Sequence, residues 1–238
     1  MASHVYFDFF GTLVDYNPSV LPSTANAPHA FALRSGVDVT PNRASELWHA
    51  AWQELDSRAH HSGRECSIRE IAHRYQELLG STCVANPDTD RLVAEYLAAW
   101  TATIRPAPFV RECLADLGRD HRLSVVSNTH SATLVPGLLR QFGITAYFAN
   151  VFTSVEIGWR KPRPEIFEAV LARDGIRAED AVFVGDNWEA DVVGPTRVGM
   201  RAFYVGSPEK SRLPVTLADL PALVRTGTEA VAPAHTTS

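Results

Sequence analysis

Five short apolar runs recur along the chain: HVYFDF at 4–9, RLSVVS at 122–127, NVFTS at 150–154, AVFVGD at 181–186 and RAFYVG at 201–206. Runs of this length, rich in β-branched and aromatic residues, read as strands buried on both faces. Segments of helical length separate the last four. SATLVPGLLRQFG carries Leu134, Leu138 and Phe142 at helical spacing and stops at Gly143. PEIFEAVLARDG opens with Pro164 and closes with Gly175, the usual asymmetry of helix ends. PFVRECLADLG, 108–118, reads as a helix ahead of the second strand. Strands alternating with helices predict an α/β fold with a doubly wound parallel sheet.

The pattern changes between the first and second strands. Ala44, Leu47, Trp48, Ala51, Trp52 and Leu55 follow a spacing of three and four. Ile68, Ile71, Ala72, Tyr75, Leu78 and Leu79 repeat it, as do Leu92, Val93, Tyr96, Leu97 and Trp100. Gly36, Gly63, Gly80 and the Asn86-Pro87 pair punctuate these stripes. The economical organisation is a Rossmann-like α/β core from 1–15 and 106–206, interrupted by a helical bundle over 16–105. A C-terminal segment, 207–238, ends in the small, polar stretch GTEAVAPAHTTS, expected to be a flexible tail.

Composition narrows the function classes. Apolar content of 45% and charged content of 21% suit a globular protein, and 238 residues can bury a sizeable core. A net charge of −5 leaves no electrostatic footprint for nucleic acid. No apolar run approaches the ~20 residues of a membrane span, and Asp8 interrupts the N-terminal run, so neither a membrane nor a signal peptide is expected. Cys66, Cys83 and Cys113 lack paired or metal-type spacing, which fits reduced thiols in a cytoplasmic protein. Of 22 lysines and arginines, only Lys161 and Lys210 are lysine. A chain so biased toward arginine that keeps Lys161 suggests a position needing a compact ammonium rather than a planar fork.

Chemistry gathers at the carboxyl ends of the expected strands, where open parallel sheets bind ligands. Asp8 follows the first strand, Ser127 and Asn128 the second, Lys161 the third, and Asp186 the fourth. Asp191, five residues beyond Asp186, puts a further carboxylate in the following turn, and the pair suits a hard cation such as Mg²⁺. Lys161 would balance these charges and meet an anionic group of a small phosphorylated substrate. Ser127, the Asn128 backbone N–H and the Thr12 hydroxyl would hold its oxygens. An aspartate beside Mg²⁺ and a lysine is a plausible nucleophile toward phosphorus, giving an aspartyl-phosphate.

These residues resemble the haloacid dehalogenase-like hydrolases. FDFFGTL matches that family's first motif, VVSN its second, RKP its third and GDNWEAD its fourth, in order and at suitable spacing over residues 4 to about 206. The helical insertion is similar to the family's cap. The resemblance implies Asp8 as nucleophile, Ser127 and Lys161 as phosphate ligands, and Asp186 and Asp191 as Mg²⁺ ligands. It also implies the backbone carbonyl of Phe10 as a metal ligand. Some caps of this type mediate dimers, so monomer and homodimer both stay open.

Position 10 departs from the family's phosphatases, which carry a second aspartate there as acid and base. Such assistance is typically worth ~10²–10⁴-fold. A phosphatase would need another proton source, with the insertion histidines His49, His60, His61 and His73 as candidates. An aromatic residue at this place is common in the dehalogenase branch, but that branch uses no Mg²⁺ and typically has serine where this chain has Asp186. Its cap arginine has only Arg34 as a candidate counterpart. Phosphonate cleavage through a cap lysine is disfavoured because no lysine precedes Lys161. A non-catalytic binding or regulatory relative would have little reason to keep Asp8, Lys161, Asp186 and Asp191 together.

Other residues have plainer expectations. Asp15 is read as a tether of the turn leaving the first strand. His60 and His61, with Ser-Gly-Arg64-Glu65, are read as a polar loop between two helices. Trp48, Trp52 and Cys113 are expected in cores. Trp159 and Trp188, flanking the third and fourth motifs, either line a pocket beside Phe10 or cover the sheet edge.

Overall fold

The computed structural model describes residues 3–15, 26–80, 89–208 and 212–227. Cys83 and the expected tail beyond residue 227 lie outside these. The chain forms two compact units, one from Met1–Tyr16 and Arg105–Ser238, the other from Asn17–Ile104.

The first unit contains β1 (His4–Phe7), β2 (Val14–Asp15), β3 (Arg105–Pro106), β4 (Arg122–Ser127), β5 (Asn150–Thr153), β6 (Ala181–Gly185) and β7 (Arg201–Tyr204). Five of these make one sheet in the order β5-β4-β1-β6-β7. Every neighbouring pair is parallel, with His4 beside Arg122 on one side and Ala181 on the other. The expected α/β sheet is therefore present. Its order runs outward from β1 to β5, then returns to start again on the other side at β6. That reversal opens a crevice at the carboxyl end of β1, the place where such sheets bind ligands.

All four residues of β1 and all five of β6 are buried, which explains their unbroken apolar runs. Tyr6, Phe183, Ile166, Phe167, Val170 and Val192 belong to one core cluster. At the amino end of the strands the core contains a polar knot. Tyr6 donates to Asp174 Oδ2 at 2.8 Å, Asn150 Nδ2 donates to Asp174 Oδ1 at 2.5 Å, and His4 Nε2 lies 2.9 Å from Ser124 Oγ. Burial lowers the His4 imidazole's affinity for a proton, although Asp174 pulls the other way.

The second unit contains α1 (Ala27–Arg34), α2 (Pro41–Ser62), α3 (Ile68–Leu78) and α4 (Thr89–Thr101). The predicted stripes are its core: Leu47, Trp48, Ala51, Ile71, Ala72, Tyr75 and Leu92 are buried together, with Trp52 packed against them. Ser67 and Glu70 close a capping box at the start of α3. His60 and His61 do not form a loop. They occupy the last turn of α2, which continues to Ser62 and stops at Gly63 with φ 75°. Imidazoles tolerate a helix C-terminus well, and the left-handed glycine is the actual stop signal.

The remaining helices lie in the first unit: α5 (Val110–Leu117), α6 (Leu134–Gln141), α7 (Ser154–Ile157), α8 (Pro164–Asp174), α9 (Gly194–Arg197) and α10 (Leu220–Thr226). Cys113 is buried in α5, as expected of a core thiol. α10 docks on α5 through Arg225, which donates to both carboxylate oxygens of Asp116 at 3.0 Å and to Asp120 at 2.8 Å. Among the described residues no helix is long and apolar enough to cross a membrane.

Candidate active site

Asp8 is the first residue past β1, and its N–H still bonds to the Val184 carbonyl of β6 at 2.8 Å. The chain then leaves the sheet through a tight turn. Leu13 N–H donates to Phe9 O at 3.0 Å and Gly11 N–H donates to Val14 O at 2.9 Å. Gly11 has φ 83°, and a Cβ there would stand 2.2 Å from Asp186 Oδ2. Only glycine meets both demands.

Asp186 follows β6 directly. Asp191 lies within a π-helical turn, Trp188–Val193. The Asn187 side chain caps that turn by accepting from the Ala190 N–H at 3.0 Å, and the Asn187 N–H donates to Asp191 Oδ2 at 2.9 Å. The wider turn brings a carboxylate five residues downstream back over the strand end. Gly185 makes room for it, since a Cβ there would meet Asp191 Cγ at 2.3 Å. Oxygens of Asp8, Asp186 and Asp191 all lie within 4.8 Å of one another.

Lys161 completes the cluster. Its Nζ donates to Asp8 Oδ1 and Asp191 Oδ1, both at 2.7 Å. Lys161 is 4% exposed and Asp191 1%. Burial pushes the Asp191 carboxyl up to about 6, with Asp8 adding to this and Lys161 opposing it. Burial likewise raises the carboxyls of Asp8 and Asp186. For Lys161 burial opposes the charge, but Asp191 and Asp8 outweigh it and hold the ammonium above its ordinary value. Three carboxylates facing one ammonium leave an excess of negative charge in a buried place.

Ser127 ends β4, is fully buried, and its hydroxyl has no hydrogen-bond partner among the described residues. Buried hydroxyls are rarely left so, and this one has the chemistry to donate to an anion. Thr12 is also buried, but its hydroxyl donates to Asp186 Oδ1 at 3.2 Å, so it is engaged with a carboxylate. The Asn128 side chain bonds the main chain of Lys161. Phe10 is half-buried, its ring edge-on to Phe9 at 4.9 Å. Asp15 is exposed in β2, opposite Arg105 of β3. Trp159 and Trp188 pack partly buried against the sheet's core cluster.

Sequence reasoning passed over Gly11, Gly185 and the Asn128 amide. The glycines stand beside catalytic-type residues in FGT and GD, and that adjacency was the available signal. Nothing local marks the partner of Asn128, which lies 33 residues away.

The sequence profile of the haloacid dehalogenase-like hydrolases matches residues 3–199. The chain belongs to this family. A ribulose-1,5-bisphosphate 5-phosphatase of Halopiger xanaduensis is 29% identical over 89% of this chain and 87% of its own length. A glyceraldehyde 3-phosphate phosphatase of Methanothermobacter thermautotrophicus is 38% identical over 50% of this chain. That match spans 56% of the relative, so this chain accounts for about half of its length. A 2-haloacid dehalogenase of Pseudomonas syringae pv. Tomato DC3000 superimposes with a TM-score of 0.69 at 24% identity, covering 96% of this chain and all of the other. At that identity the likeness is one of fold. The protein is thus a family hydrolase.

Proposed function

We propose that this hydrolase is a Mg²⁺-dependent phosphatase of a small phosphorylated metabolite, working through an aspartyl-phosphate on Asp8. One observation carries the reading: among the described residues three carboxylates lie within 4.8 Å of one another, and the Lys161 ammonium bonds only two of them, Asp8 and Asp191. A dehalogenase working on a carboxylate substrate would have to bring a further negative charge into that excess. A divalent cation removes it, and an all-oxygen donor set is what Mg²⁺ prefers. The two phosphatase relatives support the same substrate chemistry.

Mg²⁺ would be held by Asp8, Asp186, Asp191 and the Phe10 carbonyl, where it would neutralise charge and polarise a phosphoryl oxygen. Lys161 and Ser127 bind the transferring phosphoryl group. An Asp8 carboxylate oxygen forms a bond to phosphorus as the ester P–O bond breaks, and the departing oxygen takes a proton. Water then attacks phosphorus, freeing Asp8 and inorganic phosphate. Thr12 orients Asp186. Phe10 supplies no proton, so the leaving oxygen draws one from water.

Phe10 is the feature that favours the alternative, carbon–halogen hydrolysis. Arg34, the candidate for that reaction's arginine, bonds Glu95 across α1 and α4 at 3.2 Å. The deciding assay is inorganic phosphate release from a panel of sugar phosphates and other monoesters, with Mg²⁺ and with EDTA. Release is expected only with Mg²⁺ and falls about 10⁴-fold or more in Asp8→Asn, as for other lost nucleophiles. Halide release from 2-haloacids, with no phosphate release, would overturn the reading.

A further inference from the structure

Lys161 has a demanding position and weak local support. Its ammonium must reach Asp8 and Asp191 at once, yet its main chain lies in a turn between α7 and α8, outside any strand or helix. A long lysine side chain cannot keep its head in place unless its main chain is held. The Asn128 amide does this from the neighbouring loop. The Lys161 N–H donates to Asn128 Oδ1 at 2.8 Å, and Asn128 Nδ2 donates to the Lys161 carbonyl at 2.9 Å. Both main-chain groups of Lys161 are engaged, as a neighbouring strand would engage them.

The Asn128 loop is itself anchored in the same manner. The Thr129 N–H donates to Ser154 Oγ at 2.9 Å, and that hydroxyl lies 3.2 Å from the Thr129 carbonyl, to which it donates. Two side chains therefore stitch the loop after β4 to α7 and to the turn carrying Lys161. Ser127, whose buried hydroxyl is unpaired among the described residues, directly precedes the stitched Asn128. The ammonium and this hydroxyl belong to one braced frame although Asn128 and Lys161 stand 33 positions apart in the chain.

We infer that Asn128 is a positioning residue: its side chain sets where the Lys161 ammonium stands relative to Asp8 and Ser127, and so sets affinity for the anionic group. The inference rests on the phosphatase reading for its ligand but not for its geometry. Asn128 acts through Lys161 and contributes nothing to the anion from its own side chain.

Two measurements test it. With Mg²⁺ present, inorganic phosphate binding is measured by calorimetry for the wild type, Asn128→Ala, Lys161→Met and the double variant. Misplacement by about 1 Å can cost ~10²-fold, so Asn128→Ala is expected to weaken phosphate binding about 10- to 100-fold. The double variant should bind as Lys161→Met does, with no further loss. An equal loss from Asn128→Ala in both backgrounds would mean direct contact with the anion and overturn the inference. So would an unchanged affinity in Asn128→Ala. The second measurement needs no ligand. The chain contains only two lysines, so ¹⁵N-lysine labelling gives two side-chain signals. The Lys161 ammonium should be protected from solvent exchange in the wild type and lose that protection in Asn128→Ala. Protection kept in the variant would refute the inference. If Asn128→Ala does not fold, Asn128→Asp keeps the acceptor for the Lys161 N–H, turns the donor to its carbonyl into a repelling carboxylate oxygen, and is expected to lose the exchange protection of the Lys161 ammonium; protection kept there would equally refute the inference. If the wild type binds no phosphate, the phosphatase reading fails while the exchange measurement still decides the role of Asn128.

Discussion

Position 10 is where a single residue decides most. Phe10 stands two residues after Asp8, where the family's phosphatases carry an acid, and the phenyl ring can only exclude water and lower the local dielectric. On the proposed phosphatase reading, that would strengthen Lys161 and the cation toward a phosphoryl group but would move no proton. Phe10→Asp is therefore expected to raise turnover of a simple alkyl phosphate by about 10²-fold or more. It should change p-nitrophenyl phosphate little, because that leaving oxygen needs no proton. Comparing kcat for the two esters checks this; equal gains on both would assign the new carboxylate to activating water instead. Individual residues were also what the sequence showed best. Asp8 and Asp186 stood out because each directly follows a strand-length apolar run, Asp191 by its spacing from Asp186, and Lys161 as one of only two lysines. The Thr12–Asp186 and Asn128–Lys161 hydrogen bonds did not, because side-chain partners across loops leave no periodic trace.

At the scale of elements, legibility followed length. Five apolar runs became the five strands of one sheet, and three apolar stripes became the core of α2, α3 and α4. The runs overshot because Asp8, Phe9 and Asp186 look like strand continuations but lie in the turns that build the site. β2 and β3, two residues each, are below any pattern's reach, and the π-helical turn shares its apolar spacing with an ordinary helix. That turn depends on glycine. Gly185→Ala would drive a Cβ into Asp191, which stands 2.3 Å from it at Cγ. The turn must shift, so Mg²⁺ affinity is expected to fall about 10- to 100-fold, as when a metal ligand's support is lost. Overpacking should also cost about 1–3 kcal/mol of stability. Calorimetric Mg²⁺ binding and a urea titration measure the two effects separately.

Over the whole molecule, the clustered carboxylates link pH and stability. The Asp191 carboxyl is pushed up to about 6 by burial, against an ordinary value of 3.8. The folded state thus binds the proton more tightly than the unfolded one. Its stabilising contribution is full below the unfolded value and is lost as pH rises through about 6. His4, held neutral by burial, acts in the opposite direction below 6.5. On the proposed reading, added Mg²⁺ would isolate the carboxylate effect, because it would replace the proton there. The rise in melting temperature on adding Mg²⁺ is expected to be larger at pH 7.5 than at pH 5, and Asp191→Asn should abolish most of that difference. The small β2–β3 pair has a different significance. Val14 lies opposite Pro106 and Asp15 opposite Arg105, so the chain departs from the sheet unit and returns to it at adjacent points. An insertion whose two ends meet behaves as an interchangeable part. Its length and sequence can change while the sheet and its carboxylates keep their arrangement.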